Sequence, residues 1–302
     1  MIKIGILGSD NSHALIYSSL INKPDPVTGL QRFPGFQVTH IFGLDPQLTR
    51  ERAEGAAIPN IVDKPEDMLG QVDAVIAVFR HGDLHCPYVL PFLEAGVHAF
   101  VDKPFSIQPA EAQAMIQAAA KSGAILTGGS SNKYLKDLKQ IKKELEAEQA
   151  FGLDRFVTAF ISFEINLAPQ YGGIHFYGPH TVESALYLFG CDVKSVYAAR
   201  TDKNILAILK YERKQVALNF IYSGKGFSIT LVNDEGACHK EINADDDYIS
   251  AMENFISILQ SGKSDLDGKQ ILMSVAVLNA VERSLAENRE YDLEEVLAEI
   301  EI

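Results

Sequence analysis

Lys103, in Asp102-Lys103-Pro104, follows the apolar run Val97–Val101 and so falls at the end of an expected parallel strand. Open α/β sheets bind their ligands at that carboxyl edge. A charged amine has a chemical use there. A second group of reactive types occupies Tyr171-Gly-Gly-Ile-His175-Phe-Tyr177-Gly-Pro-His180-Thr-Val-Glu183. If a helix starts near Pro179, then His180, Glu183, Ser184 and Tyr187 form one polar stripe, opposite Val182, Leu186 and Phe189. A solvated helix face usually carries lysine and glutamate, whereas histidine exchanges a proton near neutral pH. The stripe therefore reads as a site.

At Gly5-Ile-Leu-Gly8-Ser9-Asp10-Asn11-Ser12-His13 a strand meets a helix at a glycine, where a dinucleotide pyrophosphate can rest on free backbone N–H groups. Counted from Gly8, Asp10 takes the second glycine position of the usual fingerprint and His13 the third. A carboxylate about 4 Å from a phosphate oxygen costs roughly 1–4 kcal/mol. Asp10 must then turn away, or the pyrophosphate lies elsewhere. Asp10, Asn11 and Ser12 also suit helix capping, which can share one helix end with phosphate binding. Asp45, before Pro46, can accept from a ribose diol and would repel a 2′-phosphate, which favours NAD over NADP. It serves equally well as a turn residue. Arg80-His81-Gly-Asp-Leu-His85 follows the run Ala74–Phe79, so either histidine lines a cofactor cleft or the segment is an exposed loop with His85 opening a helix.

These groups need a scaffold. Strands are expected at Lys3–Leu7, Gln37–Leu44, Ala74–Phe79, Val97–Val101 and Ala124–Thr127, with helices between them. That is the pattern of a Rossmann-type parallel sheet with crossover helices. The Pro- and Gly-rich stretch Lys23–Gly35 reads as a loop lengthening the first crossover. A helix behind an asparagine cap is expected from Asn132, where Leu135, Leu138, Ile141 and Leu145 recur at helical spacing. Beyond it the runs Arg155–Phe163, Val193–Arg200, Ile205–Tyr211, Gln215–Tyr222 and Phe227–Val232 are separated by turns too short for crossovers. A mainly antiparallel open sheet follows, with helices at Asp246–Gln260 and Lys269–Glu287. The fold class is α/β, with a dinucleotide-binding domain over 1–122 and an α+β domain for substrate and oligomerisation over 123–302. Strands apolar on both faces, such as Gln215–Tyr222, call for a cover: a second subunit, or a segment of the same chain.

The 302 residues are 47% hydrophobic, enough for a large core. A formal charge of −13 argues against nucleic-acid or anionic-membrane partners and for a small-molecule ligand. Cys86, Cys191 and Cys238 form no C-x-x-C pair, so a reducing compartment without disulfides is expected. With no leader pattern before the strand at Ile2 and no apolar run of spanning length, the expected location is cytoplasmic.

Taken together, the glycine turn, Asp45-Pro46, the loop ending in His85, Asp102-Lys103-Pro104, Gly178-x-His180 with an acid three residues on, and the closing segment Ser284–Leu293 carry a resemblance. The chain resembles the glucose-fructose oxidoreductase and inositol dehydrogenase family, Gfo/Idh/MocA, over nearly its whole length. The resemblance implies a nicotinamide-dependent dehydrogenase acting on a sugar, polyol or related hydroxyl compound, assembled as a homodimer or homotetramer through the C-terminal sheet. It gives Lys103 the role of orienting the reacting oxygen and His180 that of exchanging its proton. Cofactor contacts are expected at Gly5, Gly8, Ser9, Asp10, Asn11, Ser12, His13, Asp45, Arg80, His81, His85, Asp102 and Lys103. Substrate contacts are expected at Lys103, Tyr171, His175, Tyr177, His180 and Glu183. The chain departs from the family pattern at Phe176, where many members have aspartate, at Glu183 in place of aspartate, and in the reduced glycine fingerprint. Two other readings stay open. One is a catalytically silent sugar or nucleotide sensor. The other is a metal site on His175, His180 and Glu183 for lyase or hydrolase chemistry; no third histidine is positioned by spacing, and no metal is assigned.

Overall fold

Short apolar runs alternate with helical segments over the first part of the chain because the central strands are buried on both faces by their crossover helices. The strands are β1 (Ile2–Leu7), β2 (Phe36–Phe42), β3 (Asn60–Ile61), β4 (Ala74–Ala77), β5 (His98–Asp102) and β6 (Leu126–Gly129). Around them run α1 (His13–Asn22), α2 (Pro46–Ala56), α3 (His85–Glu94) and α4 (Pro109–Ser122). The computed structural model describes residues 1–150, 156–245 and 247–300. Its first sheet has the order β3-β2-β1-β4-β5-β6, all parallel. Strand order reverses between β1 and β4, the switch point at which such sheets open a crevice. Ile4, Ile6, Ile76 and Val101 are fully buried.

Two differences from expectation have local causes. β3 was not foreseen, since two exposed residues leave no hydrophobic pattern. β6 lies two residues later than expected because it ends in glycines, which carry no apolar signal. Gly128 is nonetheless required there: a Cβ would sit 1.9 Å from the Val101 carbonyl oxygen.

The remaining elements are α5 (Lys136–Ala150), β7 (Phe156–Glu164), α6 (Ile174–Phe189), β8 (Ser195–Arg200), β9 (Asn204–Lys210), β10 (Gln215–Ile221), β11 (Phe227–Asn233), β12 (Gly236–Glu241), α7 (Asp247–Ser261), α8 (Gly268–Glu287), β13 (Tyr291–Asp292) and α9 (Leu293–Ala298). The second sheet runs β12-β11-β7-β10-β9-β8-β13. It is mainly antiparallel, but β7 and β10 pair in parallel. Short turns alone cannot reveal that pairing, because the two strands are separated in sequence by α6, β8 and β9. One sheet face packs on α6 and α8, through Val182, Ala185, Val277 and Val281 against Ala207, Leu209, Val216 and Leu218. On other strand positions Val157, Phe160 and Leu206 stay exposed.

Two helix starts are corrected. The helix expected from Asn132 begins at Lys136 instead, after a 3-10 turn over Ser131–Tyr134 whose cap is the Ser130 side chain, accepting from the Asn132 amide. The helix expected near Pro179 begins at Ile174, which puts Pro179 in its interior. Proline normally starts helices because it lacks an amide proton. Here Gly173, with φ of 62°, precedes the helix and the start moves one and a half turns upstream. Arg155 and Asp246, expected to open a strand and a helix, lie outside the described residues.

The chain divides into two compact units that interleave in sequence. The first comprises Met1–Ser106, Glu111–Gly129 and Tyr248–Gly268; the second Ile107–Ala110, Ser130–Asp247 and Lys269–Ile302. The first unit thus extends past residue 122, because β6 pairs with β5, and it takes in most of α7 from the far part of the chain. Among the described residues no helix is long and apolar enough to cross a membrane.

Candidate functional site

In the first unit, β1 ends in a turn that only glycine can make. Gly8 has φ of 102°, and a Cβ on it would lie 2.9 Å from the Phe79 backbone nitrogen. The following residues are tied down individually. Ser9 Oγ shares a hydrogen bond of 2.9 Å with Thr49 Oγ1. Asn11 Oδ1 accepts from the His13 amide at 3.3 Å and so caps α1, while Ser12, at the N-cap position, makes no capping bond. Asp10 turns away toward the end of β4, where its Oδ2 accepts from the Arg80 amide at 3.2 Å. Gly5 lies within β1, and a Cβ there would lie 2.8 Å from the Met68 sulfur.

His13, Asp102, Tyr17 and Tyr248 form one buried network. His13 Nδ1 pairs with Asp102 Oδ2, Tyr17 donates to Asp102 Oδ1 at 3.3 Å, and Tyr248 Oη lies 3.2 Å from His13 Nε2. Asp102 is fully buried and Lys103 is 4% exposed. Burial works to raise the Asp102 carboxyl, but the His13 ring, and after it Lys103, outweigh this and hold it below its ordinary 3.8. A depressed carboxyl contributes stability above the ordinary value, and the contribution is lost as pH falls through the lower folded value. Asp102→Asn should therefore cost about 2 kcal/mol near neutral pH, and the gap to the unmodified protein should close in urea unfolding below pH 3.8. A constant gap across that range would show that the pair is not ionic.

The other expected cofactor residues are placed separately. Asp45 is exposed and caps α2, its Oδ1 accepting from the Gln47 and Leu48 amides at 2.9 and 3.0 Å. His81 accepts from the Asp83 amide at 3.4 Å and caps a short 3-10 turn over Gly82–Leu84. Arg80 is half-buried. His85 opens α3 fully buried, its Nδ1 2.8 Å from the Pro104 carbonyl oxygen.

In the second unit the polar stripe of α6 is enclosed rather than solvated. His180 is 7% exposed and Glu183 6%. His180 Nδ1 lies 2.7 Å from Ser130 Oγ. Glu183 Oε2 accepts from Lys133 Nζ at 2.8 Å and from the Ser130 amide at 2.9 Å, and its Oε1 accepts from Ser274 at 3.3 Å. Glu183 thus fixes the turn after β6 to the helix that carries His180. Rings surround the histidine: Phe163 at 5.1 Å and Tyr177 at 5.8 Å, with Phe176 4.9 Å from both Tyr177 and Tyr171. His175 is buried, and its Nε2 meets Glu282 at 3.0 Å.

Sequence reasoning missed Ser130, Lys133, Ser274, Tyr17 and Tyr248. The first two carried a usable signal, since Ser-Ser-Asn-Lys directly follows a parallel strand and so falls on the edge already known to matter. Ser274 and Tyr248 come from distant helices and carried none. Among the described residues no three His, Cys, Asp or Glu side chains are grouped to hold a metal.

The residues of the first unit suit a dinucleotide. The switch point and the positive-φ Gly8 precede α1 as a phosphate-binding turn requires, and the buried Asn11 Nδ2 donor has no hydrogen-bond partner among the described residues.

Comparison with known proteins agrees with this geometry. The chain is 24% identical over 235 residues to the Escherichia coli oxidoreductase YdgJ, covering 72% of this chain and 64% of that one. It is 29% identical over 157 residues to the E. coli D-glucoside 3-dehydrogenase, covering 48% and 45%. The matched stretches thus span about half to two-thirds of these relatives' lengths. Among solved structures, the Bordetella pertussis WlbA dehydrogenase, in complex with NADH and UDP-GlcNAcA, superposes with a TM-score of 0.79 at 19% identity, over 96% of this chain and 98% of that one. Residues 2–130 match the model described as oxidoreductase family, NAD-binding Rossmann fold. With the sheet order and the Lys103 edge already in place, that match makes residues 2–130 similar to the NAD-binding domain of the Gfo/Idh/MocA oxidoreductases.

Proposed function

We propose that the protein is an NAD-dependent dehydrogenase that moves hydride between nicotinamide and a hydroxyl or keto carbon of a sugar, polyol or related small molecule. The first unit binds the dinucleotide and the second carries the substrate-recognising residues. The observation that carries the reading is Lys103: a lysine 4% exposed, at the carboxyl end of a Rossmann strand, beside a fully buried carboxylate. Such burial is costly for an ammonium and persists where the charge has a use.

Bound nicotinamide supplies the hydride acceptor. Loss of hydride from a carbinol carbon becomes favourable as its hydroxyl gives up a proton, so a base and a cation are needed on one oxygen. His180 is the proposed base, and Lys103 the proposed cation. The aromatic residues Tyr171, Phe176 and Tyr177 suit the apolar face of a sugar ring. Asp45, exposed at the end of β2, would repel a 2′-phosphate, which supports NAD over NADP. The names of two similar proteins, a D-glucoside 3-dehydrogenase and an NADH-bound dehydrogenase, fit the same class. The exposed Val157, Phe160 and Leu206 support homodimer or homotetramer assembly through the second sheet.

The test begins with a fluorescence titration of NADH, followed by a panel of polyols and aldose derivatives assayed for NAD reduction. Lys103→Met should bind NADH with nearly unchanged affinity and lose turnover about 100-fold. Undiminished turnover in that variant would refute the role given to Lys103.

A further inference from the structure

Asp10 Oδ1, Asn11 Nδ2 and His85 Nε2, all in segments that follow strands of the first sheet, are buried with no hydrogen-bond partner among the described residues. His85 is the most enclosed, with no exposed surface. Its Nδ1 faces the Pro104 carbonyl oxygen at 2.8 Å. A carbonyl can only accept, so Nδ1 carries the ring proton and Nε2 presents a bare lone pair. Burial pushes the imidazole below its usual range, although Asp102, the Pro104 and Phe105 carbonyls and Asp10 pull the other way. A neutral ring keeps that lone pair available. Buried acceptors are nearly always satisfied, so an empty one at a ligand edge points to a donor on the ligand.

The position narrows which donor. His85 starts the helix after β4, its ring is 6.0 Å from the Phe79 ring, and its bond to Pro104 places it against the Lys103-Pro104 turn. A dinucleotide offers few N–H donors: phosphates have none, and the adenine amino group belongs to the end that runs toward β2 and Asp45. On the Lys103 side the donors are the nicotinamide carboxamide and the hydroxyls of its ribose, and of these the carboxamide is the one attached to the ring itself.

We propose that His85 Nε2 accepts a hydrogen bond from the nicotinamide carboxamide and so fixes the orientation of the redox ring. The proposal rests on the dinucleotide reading above and adds to it a residue that chooses which face of the ring is presented.

Calorimetric titration of the whole protein with NAD and with 3-acetylpyridine adenine dinucleotide, whose methyl ketone has no N–H, tests it without recourse to turnover. The unmodified protein should bind the analogue about tenfold more weakly. His85→Leu should lose about tenfold in NAD affinity and no longer separate the two compounds. Equal affinity in the unmodified protein overturns the assignment, and so does a difference that survives in His85→Leu. If that variant does not fold, the 15N signal of His85 Nε2 in the unmodified protein decides: it should shift with NAD and stay in place with the analogue, and any other pattern counts against the proposal. Failure of both compounds to bind would remove the dinucleotide reading itself, an outcome distinct from binding without discrimination.

Discussion

His180→Ala should lower turnover about 1000-fold and remove the acid limb of the pH profile for alcohol oxidation. The reasoning starts from the proton. A hydroxyl must lose it as hydride departs, and His180 is the enclosed imidazole of α6 whose Nδ1 meets a hydroxyl, Ser130 Oγ. Glu183 is unsuited, since both of its oxygens accept from donors within hydrogen-bond distance. His175 is held by Glu282. Loss of a proton acceptor acts on the chemical step, so NADH affinity should be unchanged. Initial rates across a pH series check this: an acid limb that persists in the variant would assign the proton to another group. Ser130→Ala offers a contrast, because it removes the partner of Nδ1 but keeps the imidazole, and should give an intermediate loss.

Glu183→Ala should destabilise the protein by about 4 kcal/mol. The carboxylate and Lys133 are 7% and 6% exposed, and a buried ion pair is most costly when one partner is removed and the other stays behind. The Ser130 amide and the Ser274 hydroxyl lose their acceptor in the same step. Glu183→Gln keeps the shape and should lose less. Urea unfolding provides the measurement, and an unchanged midpoint for Glu183→Ala would mean that the ion pair does not hold the turn after β6 in place. Because that turn also carries Ser130, the folded remainder of the variant should show a weakened His180 function.

The first sheet was legible because its central strands are buried, and so appear as uninterrupted apolar runs at Ala74–Ala77 and Ala99–Val101. Lys103 was legible for the same reason: the run that ends at β5 fixes where the edge must be. The start of α6 was not, because Pro179 mimics a helix start and a pattern of local preferences cannot weigh it against the packing of Gly178 on Leu278 and Ile174. Asp10 was read as a group that must turn away unless the pyrophosphate lies elsewhere. Its destination, the amide of Arg80, lies seventy residues further along the chain and could not be read locally.

By itself, then, the sequence determined the parallel and mainly antiparallel sheets, the strand edge bearing Lys103 and the helix bearing His180, because hydrophobic period and turn chemistry act over a few neighbouring residues. Only the tertiary structure decided that His13 serves Asp102 through a buried pair, that Lys133 and Ser130 complete the surroundings of His180, and that His85 holds a bare lone pair at the ligand edge. Each of these depends on which distant polar atoms share a space closed to water, and burial of that kind is a property of the packed chain that no local stretch of residues encodes.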